Sequence, residues 1–308
     1  MKRVDFFKSF GIMERWSGGK GETSRYLVRY MRGWMETMGI WIVLGVVAAL
    51  LLFWVMSVRC RHGHPAWEVL RRYRYAHRGL HDETRGIPEN SLTAFRRAAE
   101  RGYGAELDVH LTRDGSLVVI HDDSLLRTAG VDVDVASLTA EQLSQYRLEG
   151  TQEKIPFLEE VLPLFEGRGP LIVELKAEKN AARLAKAACQ VLDRYKVNYC
   201  IESFHPKVLM WLKRHRPEIC RGQLSQNFIR ERSGMPLVAA VVMTNVLTNL
   251  VTCPDFVAYK WKDRRQLSLF LARRLWRGQE VSWTIRDSAS MQRVEQEGCL
   301  PIFEEFQP

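Results

Sequence analysis

Several things are scarce in this 308-residue chain, and each scarcity excludes something. Charge of one sign is missing from most of it. The formal net charge is +9, but residues 1–38 hold eight Lys/Arg against four Asp/Glu and residues 59–74 hold five Arg against one Glu, leaving +1 for residues 75–308. A nucleic-acid-binding body carries its basic excess itself, so nucleic acid is not an expected partner. Cysteine is sparse and unpatterned. Cys189, Cys200, Cys220, Cys253 and Cys299 follow neither a disulfide framework nor a zinc spacing, and read as reduced core residues. Repeats and low-complexity tracts are absent, and with 46% hydrophobic and 26% charged residues the chain has an ordinary globular composition.

The most telling absence is local. Residues 39–58, GIWIVLGVVAALLLFWVMSV, contain no charge. At ~1.5 Å per residue, 20 helical residues reach roughly 30 Å, the thickness of a bilayer core. Both basic excesses flank this run, and Trp34, Trp41 and Trp54 lie near its ends, where aromatic rings favour the membrane interface. A cleaved signal peptide fits less well, because a 38-residue lead precedes the run and Arg59-Cys60-Arg61 follows it. A buried soluble helix would show a polar face, and none is present. The expected organisation is therefore a basic tail (1–38), a single membrane-spanning helix (39–58), a basic juxtamembrane linker (59–73) and a large domain (74–308). Basic residues balance across the run, so they set no clear orientation; the unpaired cysteines favour a cytoplasmic domain. The lead mixes basic and aromatic residues, as an interfacial helix or a solvated tail would. Cys60, His62 and His64 read as loop before they read as a C-x-H-x-H metal site.

From residue 74 onward, β-like runs alternate with helical periodicity. The spacing predicts strands over 73–76, 105–111, 171–175, 199–204, 221–224, 256–259, 281–285 and 301–303. Helices are predicted over 91–101, 158–165, 181–195, 206–214, 236–250, 267–277 and 288–297. Eight strands with intervening helices suit a closed α/β barrel of the (β/α)8 type. An open doubly wound sheet is the alternative, but no glycine-rich phosphate loop follows the first strand. Residues 121–156 interrupt the alternation and read as an inserted loop region. The strand at 221–224 is the weakest prediction, and the last barrel helix is expected to be short or absent.

Polar residues gather where the first strands end, which is where a barrel builds its active site. His77-Arg78-Gly79 closes the first. Glu106 and Asp108 alternate on one face of the second, as Glu174 and Lys176 do on the third. His121-Asp122 ends the strand-like run LVVIH. If Glu106, Asp108 and Glu174 converge, each pair of charges ~4 Å apart repels by about 4 kcal/mol at an effective dielectric of ~20. Raised pKa values or a bound cation must relieve this, and an all-oxygen set favours Mg²⁺ or Ca²⁺ over zinc. With Arg78 and Lys176 alongside, such a centre attracts phosphate, and His77 and His121 suit general acid and base roles. Taken singly, each is as well explained as a core histidine, an exposed strand face or an ion pair.

The stretch AHRGLHDETRGIPENSLTAFRRAAERGYGAELDVHLTRDGSLVVIHD, with IPFLEEVL and LIVELK, resembles the glycerophosphodiester phosphodiesterase family. Its pattern of H-R-G, P-E-N-[ST], E-x-D-V-x-x-[ST]-x-D-G and H-D appears in order, and SFHP and SWTIRD continue a looser likeness. The resemblance implies a TIM-like barrel that hydrolyses glycerophosphodiesters to glycerol 3-phosphate and an alcohol with a divalent metal. It implies His77 and His121 as the acid–base pair, and Glu106, Asp108 and Glu174 as metal ligands. Arg78 and Lys176 would face the phosphate, and Phe204 and Trp283 would wall the glycerol side or simply fill core. Glu89 would join the metal site or hold Arg78, and Asn90 would cap the following helix. The segment Cys299-Leu300-Pro301-Ile302-Phe303-Glu304 departs from the family's usual last strand. A lysophospholipase D acting on membrane lysophospholipids is the alternative activity. A non-catalytic, membrane-tethered binding module is the alternative of another class.

Overall fold

The structure, a computed structural model, describes residues 20–177, 180–232 and 234–308. The chain divides into two compact units, 1–53 and 54–308. Helix α1 (Lys20–Ser57) contains residues 39–57 of the uncharged run, so the run is the C-terminal part of a longer helix beginning inside the basic lead, and Val58 falls just beyond it. The earlier part of the lead lies outside the described residues. Within α1, Arg25–Ser57 is long and apolar enough to cross a membrane, with a mean hydropathy of 2.6 over an 18-residue stretch of it.

The second unit is a closed barrel. Its strands are β1 (Tyr75–Ala76), β2 (Gly104–Leu111), β3 (Leu117–Val119), β4 (Leu171–Leu175), β5 (Tyr199–Ser203), β6 (Arg221–Ser225), β7 (Phe256–Lys260), β8 (Gln279–Ile285) and β9 (Leu300–Phe303). Eight run parallel in the ring β1-β9-β8-β7-β6-β5-β4-β2, which β1 closes on β2. The run LVVIH supplies β3, which pairs antiparallel with β2 outside that ring and ends before His121. The principal helices are α2 (Leu92–Glu100), α3 (Ala181–Leu192), α4 (Pro206–His215), α5 (Leu237–Thr244), α6 (Leu267–Arg274) and α7 (Ser288–Gln296). Residues 304–308 are not helical.

Strand alternation builds two cores. On β4, Leu171, Val173 and Leu175 pack outward against the helices, together with Leu107, Val109 and Ile201. Ile172 instead joins Tyr75, Cys200, Leu224, Phe256 and Ile302 in the other cluster, inside the barrel. A helical turn at Trp67–Leu70 closes the barrel floor, with the Trp67 ring centroid 5.6 Å from that of Phe256. At Gly222 a Cβ would come within 2.0 Å of the Phe256 ring, so only glycine admits that ring beside β6.

The helix predicted over 158–165 is a turn at Leu158–Val161 that tightens into a 3-10 turn at Leu162–Phe165, where Pro163 sits, and those predicted over 181–195 and 267–277 end at Leu192 and Arg274. Two predicted segments differ more. Residues 121–156 are not simply loop. Leu125, Val135, Leu138, Leu143, Leu148 and Ile155 form a satellite core with Val118 and Ile120, threaded by helical turns at Leu126–Ala129 and Ala140–Leu143. Its many polar residues obscured the apolar periodicity. The helix predicted over 236–250 stops at Thr244, because Val246 takes a left-handed φ of 48°, and a separate turn follows at Asn249–Thr252.

The segment after α1 is fastened to the barrel. The Arg61 guanidinium donates to both Asp255 carboxylate oxygens, at 2.6 and 2.8 Å, and Asp255 also accepts from the Arg221 backbone N–H at 3.0 Å. Asp255 is buried, so removing its partner strands a charge. Arg61→Ala is expected to cost about 2–3 kcal/mol, partly discounted because water reaches Arg61, and to lower the melting temperature by roughly 5–10 °C. A melting curve that superimposes on the parent's would contradict this. All six cysteines are unpaired and buried, as expected of core thiols. Cys60 contributes its thiol to packing, His64 bonds the Glu218 carbonyl, and the Cys60-His62-His64 stretch forms no metal-ligand group among the described residues.

Candidate active site

Register brings the acidic residues together. Asp108 on β2 lies opposite Glu174 on β4, which lies opposite Glu202 on β5, and Glu106 follows one inward step below Asp108. Adjacent strands are ~4.8 Å apart, so inward side chains at one level become neighbours. Ligand atoms of Glu106, Asp108 and Glu174 lie within 4.8 Å of one another. Below them is the apolar barrel interior, so the group sits at the C-terminal mouth.

Burial and mutual repulsion mark this cluster. Burial, with the charges of Asp108, Glu174 and Glu202, holds Glu106 far above the usual carboxylate range. Burial and then the charge of Glu174 do the same to Glu202. Glu174 is pushed up to about 7, chiefly by burial, against the pull of Lys176. Burial also opposes ionisation of Asp108, but Lys176, His121, Arg78 and the Asn90 amide outweigh it and hold its pKa low. The Lys176 ammonium lies 3.0 Å from Asp108 and 2.9 Å from Glu174. Glu202 Oε2 is buried with no hydrogen-bond partner. Hard oxygen donors, an excess of negative charge and one orphaned oxygen fit a divalent cation such as Mg²⁺ or Ca²⁺.

Each imidazole is held by a carboxylate. His77 Nδ1 lies 3.2 Å from Glu304 Oε1, and His121 Nδ1 lies 2.6 Å from Asp122 Oδ1. Both bonds place the ring proton on Nδ1 in the neutral form and leave the bare lone pair on Nε2. Burial holds both imidazole pKa values below the usual range, and the bond and charge of Glu304 at His77 and the charge of Asp108 at His121 offset it only in part.

The backbone around His77 is equally determined. Gly79 takes φ +81°, and a Cβ there would meet the Ala94 backbone of α2 at 2.9 Å, which accounts for the glycine of H-R-G. Arg78 donates to Glu89 at 2.8 Å, and its Nε lies 3.4 Å from Asp108. Glu89 also accepts from Arg127, which bonds Asp122 in turn, so one ion-pair chain joins the two imidazole sides. Glu89 therefore holds Arg78 and stands outside the acidic triad. Asn90 does not cap α2. Ser91 does, accepting from the Ala94 N–H, while Asn90 donates to Asp108 at 2.9 Å. Both residues are plausible caps in sequence, and only the fold sends Asn90 inward.

A cavity of about 580 Å³ opens over the cluster. His77, Arg78, His121 and Lys176 line one side, and Phe204, Phe228, Met235, Met243 and Trp283 the other. The Phe204 ring meets Trp283 edge-on, with centroids 5.9 Å apart.

Residues 77–306 match the Glycerophosphoryl diester phosphodiesterase family. The chain belongs to that family. Among curated relatives, a glycerophosphodiester phosphodiesterase of Caldanaerobacter subterraneus subsp. tengcongensis is 39% identical over 110 residues, 33% of this chain and 44% of its own length. A lysophospholipase D of Homo sapiens is 32% identical over 120 residues, 35% of this chain and 37% of its own. The chain thus spans less than half the length of these two relatives. An Oleispira antarctica phosphodiesterase, solved with the product sn-glycerol-3-phosphate, shares the fold at TM-score 0.61 and 24% identity, covering 77% of this chain and 94% of that one.

Sequence reasoning overlooked Glu202, His110, Arg127 and a role for Glu304. Glu202 had a signal, since I-E-S on β5 repeats the inward acid of V-E-L on β4. His110, whose Nε2 lies 3.2 Å from the His121 carbonyl, shares the inward phase of Asp108. Arg127 and Glu304 had none, because their partners are distant in sequence.

Proposed function

We propose that the chain is a membrane-anchored, metal-dependent phosphodiesterase that hydrolyses glycerophosphodiesters to glycerol 3-phosphate and an alcohol. The reading is carried by one observation: three acidic side chains meet at the barrel mouth, between two imidazoles that each lean on a carboxylate. Glu106, Asp108 and Glu174 would hold a divalent cation, Mg²⁺ or Ca²⁺. Such an ion, when bound, supplies Lewis-acid polarisation of a phosphoryl oxygen. Arg78 and Lys176 orient the phosphate. One imidazole Nε2 takes the proton of the attacking oxygen, and the other imidazole, starting protonated, gives one to the leaving alkoxide. The P–O bond to the alcohol breaks, and a P–O bond to the attacking oxygen forms. Phe204 and Trp283 wall the cavity beside the departing or glycerol group.

Residues 39–58 form the anchor, preceded by a basic tail (1–38) and followed by a linker (59–73) and the barrel domain (74–308). The domain faces the cytoplasm, a placement that protease digestion in sealed vesicles tests directly. Nucleic acid is no partner of the nearly neutral body. A second reading, lysophospholipase D, is favoured by the apolar half of the cavity, which suits an acyl chain. It also has a precedent in the human relative of that name.

The deciding assay sets glycerophosphocholine and glycerophosphoethanolamine beside lysophosphatidylcholine, with and without chelator. Turnover of the two soluble diesters is expected, lost on chelation. Turnover of the lipid alone would select the second reading. Cation-independent binding without turnover of any of the three would leave a tethered binding module.

A further inference from the structure

We propose that the outer face of α5 and α6, with the loop before α5, seats in the headgroup layer of an anionic bilayer and turns the cavity rim toward it. This rests on the membrane-anchored reading above and adds a second, peripheral contact to it.

The helices supply the first observation. In α5 (LVAAVVMT) no residue is charged, Ala240 and Met243 point inward, and Leu237, Val238 and Val241 point outward, with Val238 77% exposed. In α6, Leu269 and Ala272 point inward while Leu267 and Phe270 point outward, with Phe270 54% exposed. Ser268 of α6 donates to Asn245 at the end of α5, at 2.9 Å, so the two helices meet there. Single exposed apolar side chains are ordinary, whereas a contiguous apolar surface marks an interaction site. A surface helix normally sets polar residues on that side.

Charge identifies the occupant. Residues 227–277 hold nine Lys/Arg against three Asp/Glu, although residues 75–308 as a whole carry only +1. Arg230, Lys260, Arg264 and Arg273 are ion-paired, and Arg232, Lys262, Arg265, Arg274 and Arg277 supply the remaining positive charge. Arg230 and Arg232 follow Ile229 on the loop, and the Arg274 guanidinium lies over the Phe270 ring at 6.0 Å. Apolar side chains interleaved with arginine are the composition of a surface that binds anionic lipid.

The chain itself leads to the same face. The Trp54 indole, from the end of α1, donates to Ser268 at 3.1 Å, and Trp276 donates to the Val55 carbonyl at 2.8 Å. The cavity does too. Phe228 and Met235 line its wall, while their neighbours Ile229 and Leu237 face outward. One segment therefore has an inner side on the substrate cavity and an apolar outer side.

Depth measurement by spin labelling tests this in the full chain, reconstituted in vesicles of phosphatidylcholine with phosphatidylglycerol. Nitroxides are placed at Ile229→Cys, Val238→Cys and Phe270→Cys. Arg96→Cys on α2, across the ring by strand order, is the aqueous control, and Val47→Cys reports the membrane span. The expected ratio of oxygen to nickel-chelate relaxation is several-fold higher at 229, 238 and 270 than at 96. A lipid-like signal at 47 with aqueous signals at 229, 238 and 270 overturns the docking face alone. An aqueous signal at 47 overturns the anchor, and this inference with it. Exclusion of both relaxants at 238 and 270 means that protein covers the face, which also overturns it.

Discussion

His121→Ala and His77→Ala are each expected to lower turnover by about 10³-fold, within the 10²–10⁴ that a positioned acid or base contributes, while leaving the fold intact. The reason is geometric. Each ring is fixed through Nδ1 by a carboxylate, which leaves Nε2 as the only nitrogen able to exchange a proton with substrate. Because both rings are partly exposed at a cavity wall, truncation removes little packing, and melting curves should stay close to the parent's. Turnover of either variant within a few-fold of the parent would end the assignment.

Glu304→Gln separates the two rings. Burial lowers the His77 pKa, and the hydrogen bond and charge of Glu304 raise it. Losing that charge lowers the pKa further. If His77 is the base, it must be neutral to act, so activity falls as pH drops through its pKa, and the variant's acidic limb moves to lower pH. If His77 is the acid, it must be protonated, so activity falls as pH rises through its pKa, and the alkaline limb moves down. A pH–rate profile that keeps its shape in Glu304→Gln would show that His77 titrates in neither limb.

Removing divalent cations is expected to be as severe, with turnover dropping about 10³-fold or more on chelation and returning with added Mg²⁺ or Ca²⁺. The fold should survive it, because Lys176 lies against both Asp108 and Glu174 and keeps them from facing each other bare. A cation that binds only the folded chain also stabilises it, by about 2.7 kcal/mol at one hundred times its dissociation constant. The melting temperature should therefore rise with cation in the parent, and stay flat in Asp108→Asn and Glu174→Gln. Full activity in chelator, or a cation-dependent melting shift that persists in both variants, would exclude this centre.

Much of this was legible along the chain. Alternation put Glu106 with Asp108, and Glu174 with Lys176, because the two-residue strand repeat is a local property. The barrel class followed from alternating strand and helix periodicity, and even the weakest predicted strand, 221–224, is present as β6. The helix ends were less legible. The break after Thr244 depends on one left-handed residue, Val246, whose type does not favour that conformation.

Alone, the sequence determined which residues face inward on each strand, where a long uncharged helix lies, and that acids and imidazoles gather at strand ends. Tertiary structure decided which of them touch. Strand register set Asp108, Glu174 and Glu202 side by side, ring closure carried Glu304 to His77 across 227 positions, and helix packing left the outer face of α5 uncovered. Local periodicity is fixed by backbone geometry within a few residues. Register and closure are settled only when distant segments bury their apolar faces together, and one strand read alone carries no record of its neighbours.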